Sequence, residues 1–158
     1  MSSTIIKLSL GLTTLLSGFY GGVGFFTFIG GNPAIAKLGK QGFAEYWQNI
    51  DHYMAARMPV FGMSLLLSLL FSVIILFHDL NSPSFWLMLL AFLIIIADLV
   101  FTLSTNHPLN KMIQAWDLDN LPPGIENIKD KVINAFKVRS TFMIVSFVCV
   151  LLAVWLRK

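Results

Sequence analysis

The chain has 158 residues, of which 56% are hydrophobic and 12% are charged, about half the charged share of a soluble globular domain. A domain of this size buries only about two-thirds of its surface, so a soluble core cannot hide this many apolar side chains. The net charge of +3 is small and the basic residues are scattered, which argues against a nucleic-acid partner. The composition predicts an integral membrane protein whose main partner is the lipid bilayer.

Four apolar segments follow one another along the chain, at about residues 5–30, 58–77, 84–105 and 138–156. Each is close to the roughly 20 residues that a helix needs to cross a bilayer. The runs are continuous rather than alternating, which argues against strands, and an open sheet would leave backbone groups unpaired in lipid. The first is too long for a signal-peptide core of about 7–15 residues and is interpreted as a retained span. We therefore predict an all-α fold, an integral membrane four-helix bundle, as a single transmembrane domain over residues 1–158.

The second and third spans are joined by a short turn, whereas residues 31–57 and 106–137 form two long connections. In each long connection apolar residues recur at three- and four-residue steps: Phe43, Tyr46, Trp47, Ile50 and Met54 in the first, and Leu109, Met112, Ile113 and Trp116 in the second. This spacing predicts amphipathic helices at the membrane interface. We expect Pro59 to open the second span, and an amphipathic helix from Ile125 to lead into the fourth.

Basic residues are distributed unequally between the two ends of the predicted bundle. Of the 11 Lys and Arg residues, eight lie in or beside the long connections: Lys37, Lys40, Arg57, Lys111, Lys129, Lys131, Lys137 and Arg139. The positive-inside rule then predicts that these connections are cytoplasmic, in a bacterial-type inner membrane.

Small residues form rows on the first two spans. The first span carries Thr14, Gly18 and Gly22 at four-residue steps, beside a second row of Ser9, Thr13, Ser17 and Gly21, and the second span carries Ser64, Ser68 and Ser72. Because helices in lipid associate through close approach of small residues, these faces predict a tight contact. The alternative is a slot for a lipophilic ligand.

Asp98 is a carboxylate inside the third apolar run. Such a group is costly in the bilayer unless it is paired or protonated. Arg139, at the same end of the fourth span, is the expected partner. Thr102 and Asn106 follow at four-residue steps, so this helix face should point inward. The pair is interpreted either as a structural tie between helices or as part of a catalytic or binding site.

His52 and His107 lie in the long connections, on the Asp98 side. A histidine there can act as a base, a metal ligand or a proton relay, although a hydrogen-bonding role is the simpler interpretation. His107 precedes Pro108 and can also begin a helix. Neither histidine belongs to a metal-binding spacing, so no metal site is predicted and the sequence requires no cofactor. The single cysteine, Cys149, is interpreted as a packing residue.

Several short segments carry a resemblance to a known family. They are Thr105-Asn106-His107-Pro108-Leu109-Asn110 with Trp116-Asp117, Gly24-Phe25-Phe26 with Pro33-Ala34, Trp47-Gln48-Asn49-Ile50, Pro59 and Arg139. In order and spacing the chain resembles the anthrone-oxygenase-like family of small four-helix membrane proteins over nearly its whole length. It departs at residues 132–139, which lack tryptophan and carry Phe136 about where family members have asparagine. If those positions touch substrate, the substrate differs or the activity is absent.

The resemblance implies an oxidoreductase that oxidises or binds a lipophilic aromatic molecule, such as an anthrone, at one membrane face. The implied catalytic group is His52 or His107 as base, with Asp98 and Arg139. The implied substrate-binding residues are Asn106 and Asn110, which with Arg139 would hold an oxyanion, and Tyr20, Trp47 and Trp116, which would supply apolar walls.

Two other functions are compatible with the sequence. One is a non-enzymatic membrane protein that binds a lipid or quinone-like ligand or supports a larger complex. The other is haem or metal binding through His52 and His107. The sequence is also compatible with a homo-oligomer.

Overall fold

The structure, a computed structural model, describes residues 3–157 and is helical without strands over that range. Six α-helices follow in order: α1 Ser3–Phe26, α2 Asn32–Ala36, α3 Lys40–Leu76, α4 Pro83–Phe101, α5 His107–Gln114 and α6 Ile125–Trp155. Four continuous helical stretches are long and apolar enough to cross a membrane, namely Thr4–Ala36, Lys40–Leu76, Pro83–Gln114 and Ile125–Trp155. The predicted all-α, four-helix membrane fold is confirmed.

Two π turns interrupt the first and third stretches. The first π turn, Thr27–Gly31, joins α1 to α2, and the second π turn, Thr102–Asn106, joins α4 to α5. Each short helix that follows has proline as its second residue, Pro33 in α2 and Pro108 in α5. The two halves of the chain therefore repeat one arrangement: a span, a π turn, a short helix with proline as its second residue, and a long helix. Both π turns lie at the end of the bundle opposite the short turn between α3 and α4.

The helix α3 differs from its prediction. Pro59 lies inside it rather than at its start, so the expectation that Pro59 opens the second span is wrong. The residues from Phe43 to Met54 are the first half of α3 and not a separate interfacial helix. A proline inside a helix frees the carbonyl four residues earlier, here that of Ala55. Ala55 and Pro59 are both exposed, where water or lipid headgroups can satisfy that carbonyl.

Two apolar clusters stabilise the bundle. The larger joins α1, α3, α4 and α6 around Leu65, Leu69, Met88 and Val150, which are fully buried. With 37 residues, α3 is about 55 Å long at 1.5 Å per residue, well beyond the roughly 30 Å of a hydrocarbon core. The first half of α3, the start of α6 and the two short helices build the smaller cluster, whose members are Ile35, Phe43, Ala44, Trp47, Ile113, Ile125, Val132 and Ile133.

The small-residue faces pack only partly as predicted. The Thr13 hydroxyl lies 2.5 Å from the Ser68 hydroxyl and 2.8 Å from that of Ser72, and Ser9 lies 3.2 Å from Ser72, so this row does meet α3. In the other row, Gly18 faces Phe147 of α6 rather than α3. Ser64 also differs from its prediction, because its hydroxyl donates to the Val60 carbonyl of its own helix.

The glycines on α1 generate a test of this packing. A Cβ on Gly21 would lie 2.7 Å from the Phe147 Cβ, and one on Gly24 would lie 2.7 Å from the Met143 Cβ. We expect Gly21→Ala and Gly24→Ala each to lower the free energy of unfolding in detergent by about 1–3 kcal/mol, because α6 must move away. Gly22→Ala is the control, since its Cβ meets no described atom within 4 Å. Equal stability of all three variants would contradict this packing.

Candidate functional site

A carboxylate, a guanidinium and a phenol meet inside the bundle. Asp98 of α4 is 1% exposed, and its Oδ1 accepts a hydrogen bond from Arg139 Nε of α6 at 3.0 Å. Its Oδ2 accepts from the Tyr20 hydroxyl of α1. Arg139 Nη2 also donates to the Tyr20 oxygen at 3.2 Å. We call Tyr20, Asp98 and Arg139 the triad.

The triad explains how a charged pair is tolerated at this depth. An unpaired carboxylate inside a bilayer costs about 3 kcal/mol or more, and here both carboxylate oxygens are hydrogen-bonded. The predicted pairing of Asp98 with Arg139 is therefore confirmed. Tyr20, expected as an apolar wall for a substrate, uses its hydroxyl in the triad instead. The triad ties α1, α4 and α6 together at one depth.

A chain of contacts leads from the triad to the end of the bundle. The Arg139 guanidinium carbon lies 5.4 Å from the centroid of the Phe136 ring, and that ring meets Trp47 edge to face at 5.2 Å. Trp47 Nε1 donates to Asn110 Oδ1 at 3.1 Å, and Asn110 Nδ2 donates to Asp51 at 2.6 Å. Trp47 and Asn110, both expected to bind substrate, are therefore joined to each other. Phe136, which sequence reasoning noted only as a departure from the family pattern, links them to Arg139.

Trp116, just beyond α5, contacts the first half of α3. Its ring centroid is 6.4 Å from that of Phe43, and its carbonyl accepts from Gln48 Nε2 at 3.0 Å. The same Gln48 amide donates to the Ile113 carbonyl at 2.9 Å. Trp116 thus helps to fix the end of α5 against α3.

The two histidines do not join the triad. His52 and His107 are both exposed, and His52 has an edge-on ring contact with its neighbour Tyr53 at 5.3 Å. Over residues 3–157, neither histidine forms a hydrogen bond or ion pair with Asp98 or Arg139. Within the same range, no group of three or more His, Cys, Asp or Glu side chains could hold a metal ion. The expected convergence of all four side chains is therefore not found. Burial of Phe43 and Trp47 sets the rotation of α3, which turns His52 outward.

A groove opens beside the second π turn. Its volume is about 320 Å³, and it is lined by Phe101, Thr105, Leu109, Lys131, Asn134, Ala135 and Val138. Sequence reasoning did not find it, because it forms only where α4, the second π turn and α5 pack against α6. Comparisons of the chain with protein-family models, with curated proteins and with solved structures find no match.

Removing one charge of the triad tests its role. We expect Arg139→Met to destabilise the protein by about 3–5 kcal/mol, because it leaves the buried Asp98 carboxylate unpaired. The double variant Asp98→Asn with Arg139→Met should regain most of that loss, since no buried charge remains. Unfolding in detergent measures both.

Arg57→Met is the matched control. Arg57 is exposed and donates to the Tyr53 carbonyl of its own helix, so we expect a change within about 0.5 kcal/mol. If Arg139→Met is no more destabilising than Arg57→Met, the triad does not stabilise the bundle.

Proposed function

We propose that the protein binds a lipophilic small molecule in the groove between the second π turn and α6. The volume of about 320 Å³ lies at the lower end of small-molecule sites, which span about 300–1,000 Å³. Phe101 and Val138 supply apolar surface at the deeper end, and Lys131 and Asn134 supply polar groups nearer the start of α6. A molecule with a flat apolar body and an oxygen at one end matches this gradient.

The family resemblance supports an aromatic ligand. The segment that carries the most specific part of the resemblance, residues 105–110, contributes Thr105 and Leu109 to one wall of the groove. Anthrones, the substrates that the resemblance implies, are flat and lipophilic and lose a proton from carbon to give an enolate. Lys131 is the titratable side chain among the described groove residues, and its ammonium group would stabilise that enolate oxygen.

The same resemblance supports oxidation of the bound molecule. In that reaction an anthrone and dioxygen give an anthraquinone and water. The enolate attacks dioxygen, and the resulting hydroperoxide loses water to leave the second carbonyl. His107 is a poor candidate for the base here, because it lies two residues from both Thr105 and Leu109 and therefore on the other side of the helical turn.

Orientation in the membrane is the second part of the proposal. We place the protein in a bacterial-type inner membrane with the π turns, and hence the groove, at the cytoplasmic end. The support is the distribution of Lys and Arg, because eight of the 11 lie in or beside the long connections and such residues are enriched on the cytoplasmic side. A ligand would then enter from the cytoplasmic leaflet or from the cytoplasm.

Blocking the groove tests the binding proposal. We expect Val138→Trp to weaken binding of anthrone to the detergent-solubilised protein by about tenfold or more, because the indole fills the apolar end. Lys131→Gln should weaken it by about two- to fivefold, the effect of losing one exposed charge contact. Titration of ligand fluorescence measures both.

Val145→Trp is the control, because Val145 is exposed on α6 outside the groove. Equal affinity of Val138→Trp and Val145→Trp would overturn the groove as the binding site. Oxidation is assayed separately as the initial rate of anthrone consumption above the protein-free rate. Binding without any rate increase would support a non-enzymatic ligand-binding protein instead.

A further inference from the structure

We infer that Phe142 of α6 limits the length of the molecule that the groove holds, and so selects shorter flat ligands over longer ones. The inference rests on the binding site proposed above and adds a determinant of its specificity. Phe142 is not among the described residues that line the groove. Its ring instead fills the seam between α4 and α6 directly beyond the lining residues.

The lining residues form two rows, one on each side of the groove. One row descends α4, the second π turn and α5 at four-residue steps: Phe101, Thr105 and Leu109. The other lies on α6 at steps of one, three and four residues: Lys131, Asn134, Ala135 and Val138. Residues three and four apart are neighbours on one face of a helix. The groove therefore follows the seam between two helical faces, and its long dimension runs along the helices.

Two contacts fix how α4 and α6 are aligned along this seam. Asp98 accepts from Arg139, and the Ser146 hydroxyl donates to the Ala91 carbonyl at 3.3 Å. Seven residues back along α4 thus correspond to seven residues forward along α6, so the two helices are antiparallel without a shift in register. The end of one row that is nearest the triad therefore lies beside the end of the other row that is nearest the triad.

An aromatic pair closes that end of the groove. The lining residues nearest the triad are Phe101, three residues after Asp98, and Val138, directly before Arg139. The next residue on the same face of α6 is Phe142, four residues beyond Val138. Its ring meets that of Phe101 edge to face, with centroids 6.2 Å apart and planes inclined by 73°. Aromatic rings therefore fill the seam just beyond Val138.

Closure of the seam depends on these two rings and not on the helix backbones. Ala97 precedes Phe101 by four residues and continues its row on α4. This residue is small and exposed, so α4 supplies no large side chain beyond Phe101. Without the Phe142 ring, the groove would extend one helical turn further between α4 and α6.

The spacing along α6 sets the length of ligand that fits. From Lys131 to Val138 the helix advances seven residues, or about 10 Å at 1.5 Å per residue. A molecule of three linearly fused six-membered rings matches this length. A fourth ring in line would overlap with the pair of Phe101 and Phe142. We therefore expect the groove to discriminate between these two lengths.

Phe142→Ala tests the inference with ligands of two lengths. The probes are anthrone, with three rings, and its linear four-ring homologue tetracen-5(12H)-one, and their affinities for the full-length protein in detergent are measured by equilibrium dialysis under nitrogen. We expect the unaltered protein to prefer anthrone by about tenfold or more, and Phe142→Ala to reduce this preference by about tenfold. Phe71→Ala is the matched control, because Phe71 is exposed on α3 outside the groove, and it should leave the preference unchanged.

Val138→Phe tests the same idea in the opposite direction, and it serves also if Phe142→Ala does not fold. A ring at position 138 moves the closed end of the groove by about one helical turn, or 5.4 Å, towards Lys131. We expect the preference to shift by about tenfold from anthrone towards the two-ring ketone 1-tetralone. The same dialysis measures this shift.

The outcomes separate the inference from the proposed function. If Phe142→Ala or Val138→Phe has the same length preference as Phe71→Ala, or if the unaltered protein binds the four-ring probe as tightly as anthrone, the inference is wrong. The groove then still stands or falls by the comparison of Val138→Trp with Val145→Trp. If the unaltered protein binds none of the three probes, both the inference and the proposed function are overturned.

Discussion

The ion pair between Asp98 and Arg139 is the constraint on which the arrangement of the bundle depends. A carboxylate at this depth is costly unless it is paired, and the two groups can meet only when α4 and α6 adopt one register. Tyr20 adds α1 to the same register through its hydroxyl. The apolar packing on either side of the triad is non-directional and permits small shifts of one helix along another. The triad does not permit them.

The register set by the triad determines what lies beyond it. Between Asp98 and the end of the bundle that holds the π turns, the two π turns bring α2 and α5 against the start of α6. The smaller apolar cluster forms there. Here α3 and α6 continue beyond the roughly 30 Å of a hydrocarbon core, and the added length contributes to burying Phe43, Trp47 and Ile113. This explains why both helices are longer than a bilayer requires.

The sequence predicted the features that depend on one segment and missed those that depend on several. Apolar length was sufficient for four spans, and a single carboxylate in an apolar run was sufficient to identify Asp98 and its partner. The continuity of α3 through Pro59 was missed because proline is a strong local signal of a helix start, whereas packing of the whole first half of α3 outweighs it. The small-residue row correctly predicted that Ser9 and Thr13 contact α3. It missed the contact of Gly21 with Phe147 of α6, because that contact joins residues far apart in the chain.

The outward position of His52 also depends on packing between segments that are far apart in the chain. On α3, burial of Phe43 and Trp47 sets which face is inward, and His52 lies off that face. Neither histidine lines the groove, where Lys131 is the titratable side chain among the described lining residues.

The second π turn connects the groove with the interior of the bundle. Thr105 lines the groove, and Asn106, the next residue, is buried. On α6, Ala135 lines the groove and Phe136 contacts both Arg139 and Trp47. A molecule that displaced the second π turn on entering the groove would therefore also move Asn106 relative to α6. The triad, one helical turn from the start of the second π turn, would still hold α4 and α6 in register.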